Sequence, residues 1–159
     1  VCVTQAMDLA PVLFAPEAYA EWREQIEAAP ELMFPPILDR FRGGKAVGAP
    51  DYIAGWDRLH RLRAEWADAA AGFDAVLLPT VPILPPEAAR LEADADFFAA
   101  ENLLTLRNTR IGNLLGLPAI TLPTLRPACG IMLMGRAGTD RALLRTAAAA
   151  GTALARTPA

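Results

Sequence analysis

The sequence predicts an α/β fold, and two patterns carry that prediction. A helical repeat of apolar residues runs from about residue 50 to residue 71 and leads by a short turn into the apolar run 76–78. Two more short apolar runs, 119–123 and 130–134, lie between turn-forming residues. Such runs are typical of strands covered on both faces, and their alternation with helices indicates helices packed on a sheet.

Two helices are predicted in the first half of the chain. The first begins near Pro16, which suits a first helical turn, and ends before Pro30. The second runs from about residue 50 to residue 71. Its predicted buried stripe is Tyr52, Trp56, Leu59, Leu62, Trp66 and Ala70.

The second half of the chain alternates strands with helices and one proline-rich segment. Residues 81–86 are predicted to form an extended loop, because proline continues neither a central strand nor a helix. Ligand-contacting loops in open α/β sheets leave from the carboxyl ends of strands, so we expect Thr80 and this loop to lie at a functional edge. One helical stretch is predicted from Asp96 to Leu115, and a last helix follows its cap, Thr139.

Length and charge restrict the possible partners. The chain has 159 residues, which suits a single domain. Its formal net charge is -3, and nucleic-acid binding needs a strongly basic face, so we expect no nucleic-acid partner. The longest apolar run, 75–86, contains four prolines, so we expect no membrane-spanning segment. The opening residues carry no leader pattern, which makes the cytoplasm the default expectation.

Missing residue types restrict the possible chemistry. The chain has no serine, so a Ser-His-Asp triad cannot form within it. His60 is the only histidine, and Cys2 and Cys129 are the only cysteines, which is too few ligands for a tetrahedral zinc site. A Cys-His pair would need one of those cysteines beside His60. We therefore expect no metal and no cofactor.

Three segments in a fixed order carry a resemblance to a known family. They are 74–82, 107–123, and 130–135 followed by a Thr/Asp-capped helix. Together they resemble the C-terminal part of the amidase signature family and are also similar to glutamyl-tRNA amidotransferase A subunits. The resemblance implies the C-terminal part of that family's mixed β-sheet core, flanked by helices and with an incomplete sheet in this chain. It also implies that residues 1–159 form one partial domain.

The resemblance implies an activity whose catalytic groups this chain does not contain. Members of the family hydrolyse linear carboxamide C–N bonds to a carboxylate and ammonia or an amine. They use a Ser nucleophile, a second Ser in a cis peptide and a Lys, and they need no metal. None of the three can be carried over, since serine is absent and Lys45 has no matching context. We expect this chain to supply core and part of the substrate pocket, to contain no catalytic residue, and to be inactive alone.

Three candidate substrate-binding residues lie in the segment 107–113. Thr109 and Asn113 match the family's Thr-x-x-x-Asn pattern before Gly-Leu-Pro, although either could instead bond neighbouring backbone. Arg107 is the third candidate: with its neighbour Arg110 it flanks the same turn and could recognise an acidic amide, with a solvated helix face as the alternative.

Arg40 is the fourth candidate. It aligns with an Arg that helps to hold the substrate's α-carboxylate in the glutamine-using A subunits, and a guanidinium fork suits a carboxylate. Those subunits carry an acidic residue where this chain has Leu106. That difference argues against a free amino acid as substrate.

Other functions remain open at this point. The chain could be a non-catalytic binding or interaction subunit that pairs with a separate chain, or a small α/β protein that matches by chance. The expected partners are a small-molecule amide, the missing N-terminal catalytic portion and possibly further copies of the chain.

The incomplete sheet generates a prediction about the isolated chain. Several hundred Å² of uncovered apolar sheet would cost on the order of 10 kcal/mol at about 25 cal/mol per Å². That rivals the whole stability of a domain, about 5–15 kcal/mol. We therefore expect the isolated chain to self-associate or aggregate in light-scattering measurements. A monodisperse monomer that unfolds cooperatively would contradict this expectation.

Overall fold

The computed structural model describes residues 2–156 of the chain. Within them it has eight α-helices and one three-stranded sheet. The helices are α1 Cys2–Asp8, α2 Ala10–Ala28, α3 Pro35–Arg42, α4 Ala49–Ala69, α5 Ala88–Ala93, α6 Ala95–Thr105, α7 Arg107–Leu115 and α8 Asp140–Arg156. The strands are β1 Val76–Pro79, β2 Ala119–Pro123 and β3 Gly130–Met134, and single 3₁₀ turns occupy Pro30–Leu32 and Gly43–Ala46. The predicted α/β class with an incomplete sheet is confirmed. The chain divides into two compact units between Glu65 and Trp66; a single domain over 1–159 stays a prediction.

The sheet brings the carboxyl ends of two strands to one edge. β3 lies between β1 and β2, and both pairs are antiparallel. Pro79 at the end of β1 is paired with Ile131, and Pro123 at the end of β2 is paired with Gly130. The ends of β1 and β2 therefore flank the start of β3. Thr80 and the loop 81–86 leave from this edge, as the sequence predicts.

Helices cover a different part of each face of the sheet. On one face, α8 packs Leu143 and Ala147 against Leu133 of β3 and the neighbouring Ile120 of β2. Leu77 of β1 points to that same face, opposite Leu133, but is 64% exposed, whereas Leu133 is 2% exposed.

On the opposite face, a helix covers β3 but leaves β2 exposed. There, Gly112 of α7 lies so close to β3 that an added Cβ would meet the Met134 side chain at 3.6 Å, while Thr121 of β2 is exposed. The prediction of strands covered on both faces is therefore right for β3. For β1 and β2 it is wrong within the described chain, because their burial alternates along the strand.

The helix that the sequence predicts to begin near Pro16 begins earlier in the structure, as α2. α2 begins at Ala10, and Pro11 occupies its first turn, so Pro16 lies inside the helix. Proline has no N–H, so the turn of helix at Pro16 lacks one backbone hydrogen bond. Gly44 packs against this turn: a Cβ on Gly44 would lie 2.8 Å from the Pro16 nitrogen and closer still to the Ala15 carbonyl oxygen. The missing side chain at residue 44 is what lets the following segment approach the helix backbone.

A carboxylate holds the same segment to α2 from the side. Glu27 accepts from Arg42 Nη2 at 2.7 Å, from Lys45 Nζ at 3.0 Å and from the Tyr19 hydroxyl at 3.2 Å. The Arg42 hydrogen bond, followed by that of Lys45, lowers the pKa of Glu27 from 4.5 to about 2. The only lysine of the chain is therefore part of a surface ion-pair cluster.

The predicted helix 96–115 is divided into two helices. Leu106, at φ -85° and ψ -7°, separates α6 from α7, and its carbonyl is the first acceptor of the new helix. Gly116 ends α7 in the left-handed conformation, with φ 69°. α8 begins directly after Thr139, as predicted, and no helix within residues 2–156 is long and apolar enough to cross a membrane.

The contact between Gly44 and α2 predicts a large stability difference between two adjacent glycines. Gly44→Ala places a methyl group against backbone that cannot rotate away, which should lower the free energy of unfolding by about 1–3 kcal/mol. Gly43→Ala is the matched control, since a Cβ there meets nothing within 4 Å and the residue has right-handed helical backbone angles. We expect that change to stay within about 0.5 kcal/mol. Urea denaturation measures both, and equal effects would show that the close approach is not needed.

Candidate functional site

A groove of about 390 Å³ opens at the edge where β1 and β2 end. Its sides are the proline-rich loop after β1 and the end of the loop that leads into β3. None of the described residues that line it is an Asp, Glu, Lys, Arg or His. The lining residues are Pro79, Thr80, Val81, Pro82, Ile83, Leu84, Thr121, Ala128, Cys129 and Gly130.

Two hydroxyl groups lie side by side in the groove. The Thr80 hydroxyl is 3.1 Å from Thr121 Oγ1 and donates to it. The backbone N–H of Thr80 donates to the carbonyl of Gly130 at 3.0 Å, which extends the pairing of β1 with β3 by one residue. A Cβ on Gly130 would lie 2.8 Å from Thr80 Oγ1 and 2.9 Å from Thr121 Cγ2. Only glycine at position 130 leaves room for this hydroxyl pair.

Asn108 joins the start of α7 to the end of β1. Its Nδ2 donates to the Pro79 carbonyl oxygen at 2.7 Å. Because the helix is interrupted at Leu106, Asn108 lies in the first turn of a new helix, from which its short amide reaches the end of β1. Sequence reasoning missed this residue, although a short amide beside a helix start is a usual partner for nearby backbone.

The structure places three of the four predicted substrate-binding residues on α7. Arg107 is its first residue and is exposed, and Asn113 is exposed one turn beyond Thr109 on the same side of the helix. The Thr109 hydroxyl donates to the Leu106 carbonyl at 3.2 Å, the local bonding that the sequence left open as an alternative. Arg40 is half-buried on α3, in the other compact unit. The role of these four residues in substrate binding stays a prediction.

The described cysteine of the groove and the histidine of the chain are not grouped with other potential metal ligands. Cys129 is half-buried in the groove wall, and its carbonyl accepts from the Thr124 hydroxyl at 2.9 Å. His60 is exposed on α4, with its ring 5.5 Å from that of Trp56. Across residues 2–156, no three His, Cys, Asp or Glu side chains converge as a metal site.

Comparison with known proteins gives one curated relative and two solved structures. A 2-amino-5-chloromuconic acid deaminase from Comamonas testosteroni is 34% identical over 109 residues, which are 66% of this chain and 23% of that protein. The crystal structure of an amidase matches 98% of this chain with a TM-score of 0.75 and 23% identity. The predicted resemblance to amidases is confirmed. The 6-aminohexanoate cyclic dimer hydrolase, solved with its substrate, matches 76% of the chain with a TM-score of 0.58 and 28% identity.

These amidase-like proteins are all much longer than the present chain. It spans about a quarter of the curated relative, 36% of the amidase and 28% of the cyclic dimer hydrolase. No protein-family model matches it. The likeness to the amidase structure concerns the fold, and it takes in both compact units of the chain.

The bond from Asn108 predicts a stability difference between two asparagines of α7. Asn108→Ala removes a donor from the Pro79 carbonyl and should lower the free energy of unfolding by about 1 kcal/mol. For a chain of this size, that is a fall of about 2–4 °C in Tm. Asn113→Ala, at an exposed position of the same helix, is the control that removes the amide but not this bond. If the two variants melt at the same temperature, Asn108 does not hold the strand end.

Proposed function

We propose that this chain is the C-terminal segment of an amidase that hydrolyses linear carboxamide C–N bonds to a carboxylate and ammonia or an amine. The observation that carries the proposal is the match to an amidase fold over 98% of the chain. In this proposal, the segment supplies sheet core and part of the substrate pocket. The Ser, cis-Ser and Lys of the catalytic set belong to another part of the enzyme.

The side chains of the groove support a binding role rather than bond cleavage. A hydroxyl nucleophile needs a base that takes its proton. Thr80 and Thr121 bond each other, and none of the described residues that line the groove is a His, Lys, Asp or Glu. Amide hydrolysis at this edge therefore depends on catalytic groups from elsewhere in the enzyme.

The exposed Arg107 and Asn113 support a role in holding an acidic substrate. We assign Arg107, Thr109 and Asn113 of α7, together with Arg40, to substrate binding. A guanidinium at the start of α7 suits a carboxylate, which it can hold through two parallel hydrogen bonds. The curated relative is named for removing an amino group from an acid, which is also cleavage of a C–N bond.

The partners follow from the same proposal. The small-molecule partner is an amide, and the protein partner is the portion that carries the catalytic set. Exposed apolar side chains on the sheet, such as Leu77, support either that contact or contact with a second copy of the chain. We place the enzyme in the cytoplasm.

Ammonia release from amides tests the proposal. We expect the purified 159-residue chain to release none from a panel of neutral and acidic amides. The full protein encoded by the gene that contains this sequence should hydrolyse at least one of them. In that protein, Arg107→Ala should raise KM for acidic amides by about tenfold, the equivalent of about 1.4 kcal/mol, and leave KM for neutral amides unchanged.

Each part of the proposal has its own contrary result. Hydrolysis by the 159-residue chain alone would show that catalytic groups lie within it. A full protein that hydrolyses no amide would contradict the amidase assignment and favour a non-catalytic binding subunit. Equal effects of Arg107→Ala on acidic and neutral amides would remove Arg107 from carboxylate recognition.

A further inference from the structure

We propose that the groove at the carboxyl ends of β1 and β2 binds the uncharged part of a small amide, through one polar group and an apolar chain. The inference rests on the proposed function, since it concerns the substrate of the same enzyme. It adds the class of substrate group that this part of the pocket accepts. Three properties of the groove support this inference: its size, its polar contact and the contacts that hold its strand ends.

The groove has the size and the lining of a small-molecule site. Its volume of about 390 Å³ lies within the usual range of about 300–1,000 Å³ for ligand pockets. The loop side is formed by Val81, Pro82, Ile83 and Leu84, all of them apolar. Since no Asp, Glu, Lys, Arg or His lines it, a carboxylate or ammonium held here would lose water without gaining a counter-charge. The occupant is therefore uncharged.

The hydroxyl pair provides the polar contact. Each threonine hydroxyl has one proton and two lone pairs. A pair joined by a single hydrogen bond uses one of its two protons, whichever residue donates. Thr80 and Thr121 together can therefore donate once and accept more than once, which matches the carbonyl and N–H of a carboxamide. The rest of such a ligand would lie against the apolar loop.

Close packing and hydrogen bonds hold the strand ends on both sides of the groove. Gly130 leaves room for the hydroxyl pair, and Asn108 holds the carbonyl of Pro79, the residue before Thr80. On the far side, the Thr124 hydroxyl bonds the carbonyl of Cys129 at 2.9 Å and closes the loop that leads into β3. A preformed site loses less conformational entropy when a ligand binds.

Cys129 allows binding to be measured without any enzyme activity. It lines the groove and is half-buried, so a bound ligand should shield its thiol. The experiment follows modification of Cys129 by methyl methanethiosulfonate in the Cys2→Ala variant, with hexanamide as the neutral probe and hexanoate, which has a carboxylate in place of the amide, as the charged one. We expect hexanamide at ten times its Kd to slow the modification about tenfold, by simple occupancy of the site. Hexanoate at the same concentration should leave the rate unchanged.

A pair of threonine variants separates the hydroxyl contact from general shielding. Thr121→Val keeps the shape but removes the hydroxyl, so hexanamide should lose most of its protection. Thr152→Val, at an exposed position on α8, is the matched control and should keep it. Comparison of rates with and without hexanamide at one protein concentration removes any constant shielding by self-association.

Three results would overturn the inference. They are no protection by hexanamide, equal protection by hexanoate, and full protection in Thr121→Val. None of these outcomes depends on turnover. If the full protein hydrolyses amides while Cys129 stays unprotected, the proposed function stands and the groove inference fails. If Cys129 is protected but no amide is hydrolysed, the groove binds amides and the amidase assignment fails.

Discussion

Both outer strands of the sheet end in proline, and both prolines stand at the same edge. Proline has no N–H to give to a neighbouring strand, and pairing continues for only one residue beyond each proline, through the N–H of Thr80 to the Gly130 carbonyl and that of Thr124 to the Cys129 carbonyl. Pro79 faces Ile131 and Pro123 faces Gly130, which are the first two residues of the central strand. The chain therefore leaves the sheet on both sides of β3 at one level. The loops that follow the two prolines become the sides of the groove, and the first residue of β3 lies between them.

The same edge explains why so few side chains determine the site. One hydrogen bond from Asn108 fixes the last carbonyl of β1, and one missing side chain, at Gly130, admits the pair Thr80 and Thr121. The remaining lining is apolar loop. A site built in this way selects by shape and by a single polar contact. Under the proposed function, charge recognition belongs to the arginines of α7 and α3 instead.

The sequence predicts the regular elements well where one local pattern decides them. The three strands, the helix that ends near residue 70 and the helix after Thr139 all have a clear apolar period or cap. Pro16 misleads, because proline favours a first turn, but Pro11 already fills that position and Gly44 packs tightly against the turn at Pro16. The interruption of the helix at Leu106 could not be predicted, because no proline or glycine lies there. It becomes intelligible once Asn108 is seen bonded to a residue 29 positions earlier.

Predicting the site is harder, because its residues meet only through strand pairing. Thr80 could be placed at a functional edge from one strand and one loop. Thr121 and Gly130 could not, since their approach depends on the order β1-β3-β2 and on an antiparallel register that no local pattern specifies. The uneven cover of the sheet is likewise invisible in the apolar runs, which look the same whether one face or both are packed.

Under the proposed function, the groove lies in this chain and the catalytic set outside it, which has a consequence for how such an enzyme would use its substrate. Interactions with a bound substrate lower KM alone when they are equal in the ground state and the transition state. They raise kcat only when they also hold the scissile bond in position for attack. A rigid groove that fixes one polar group and one apolar chain restrains both translation and rotation of the amide. Its contribution to kcat then depends on how firmly Asn108 and Gly130 hold the strand ends, so the stability of this edge and the rate of the reaction would be linked through the same contacts.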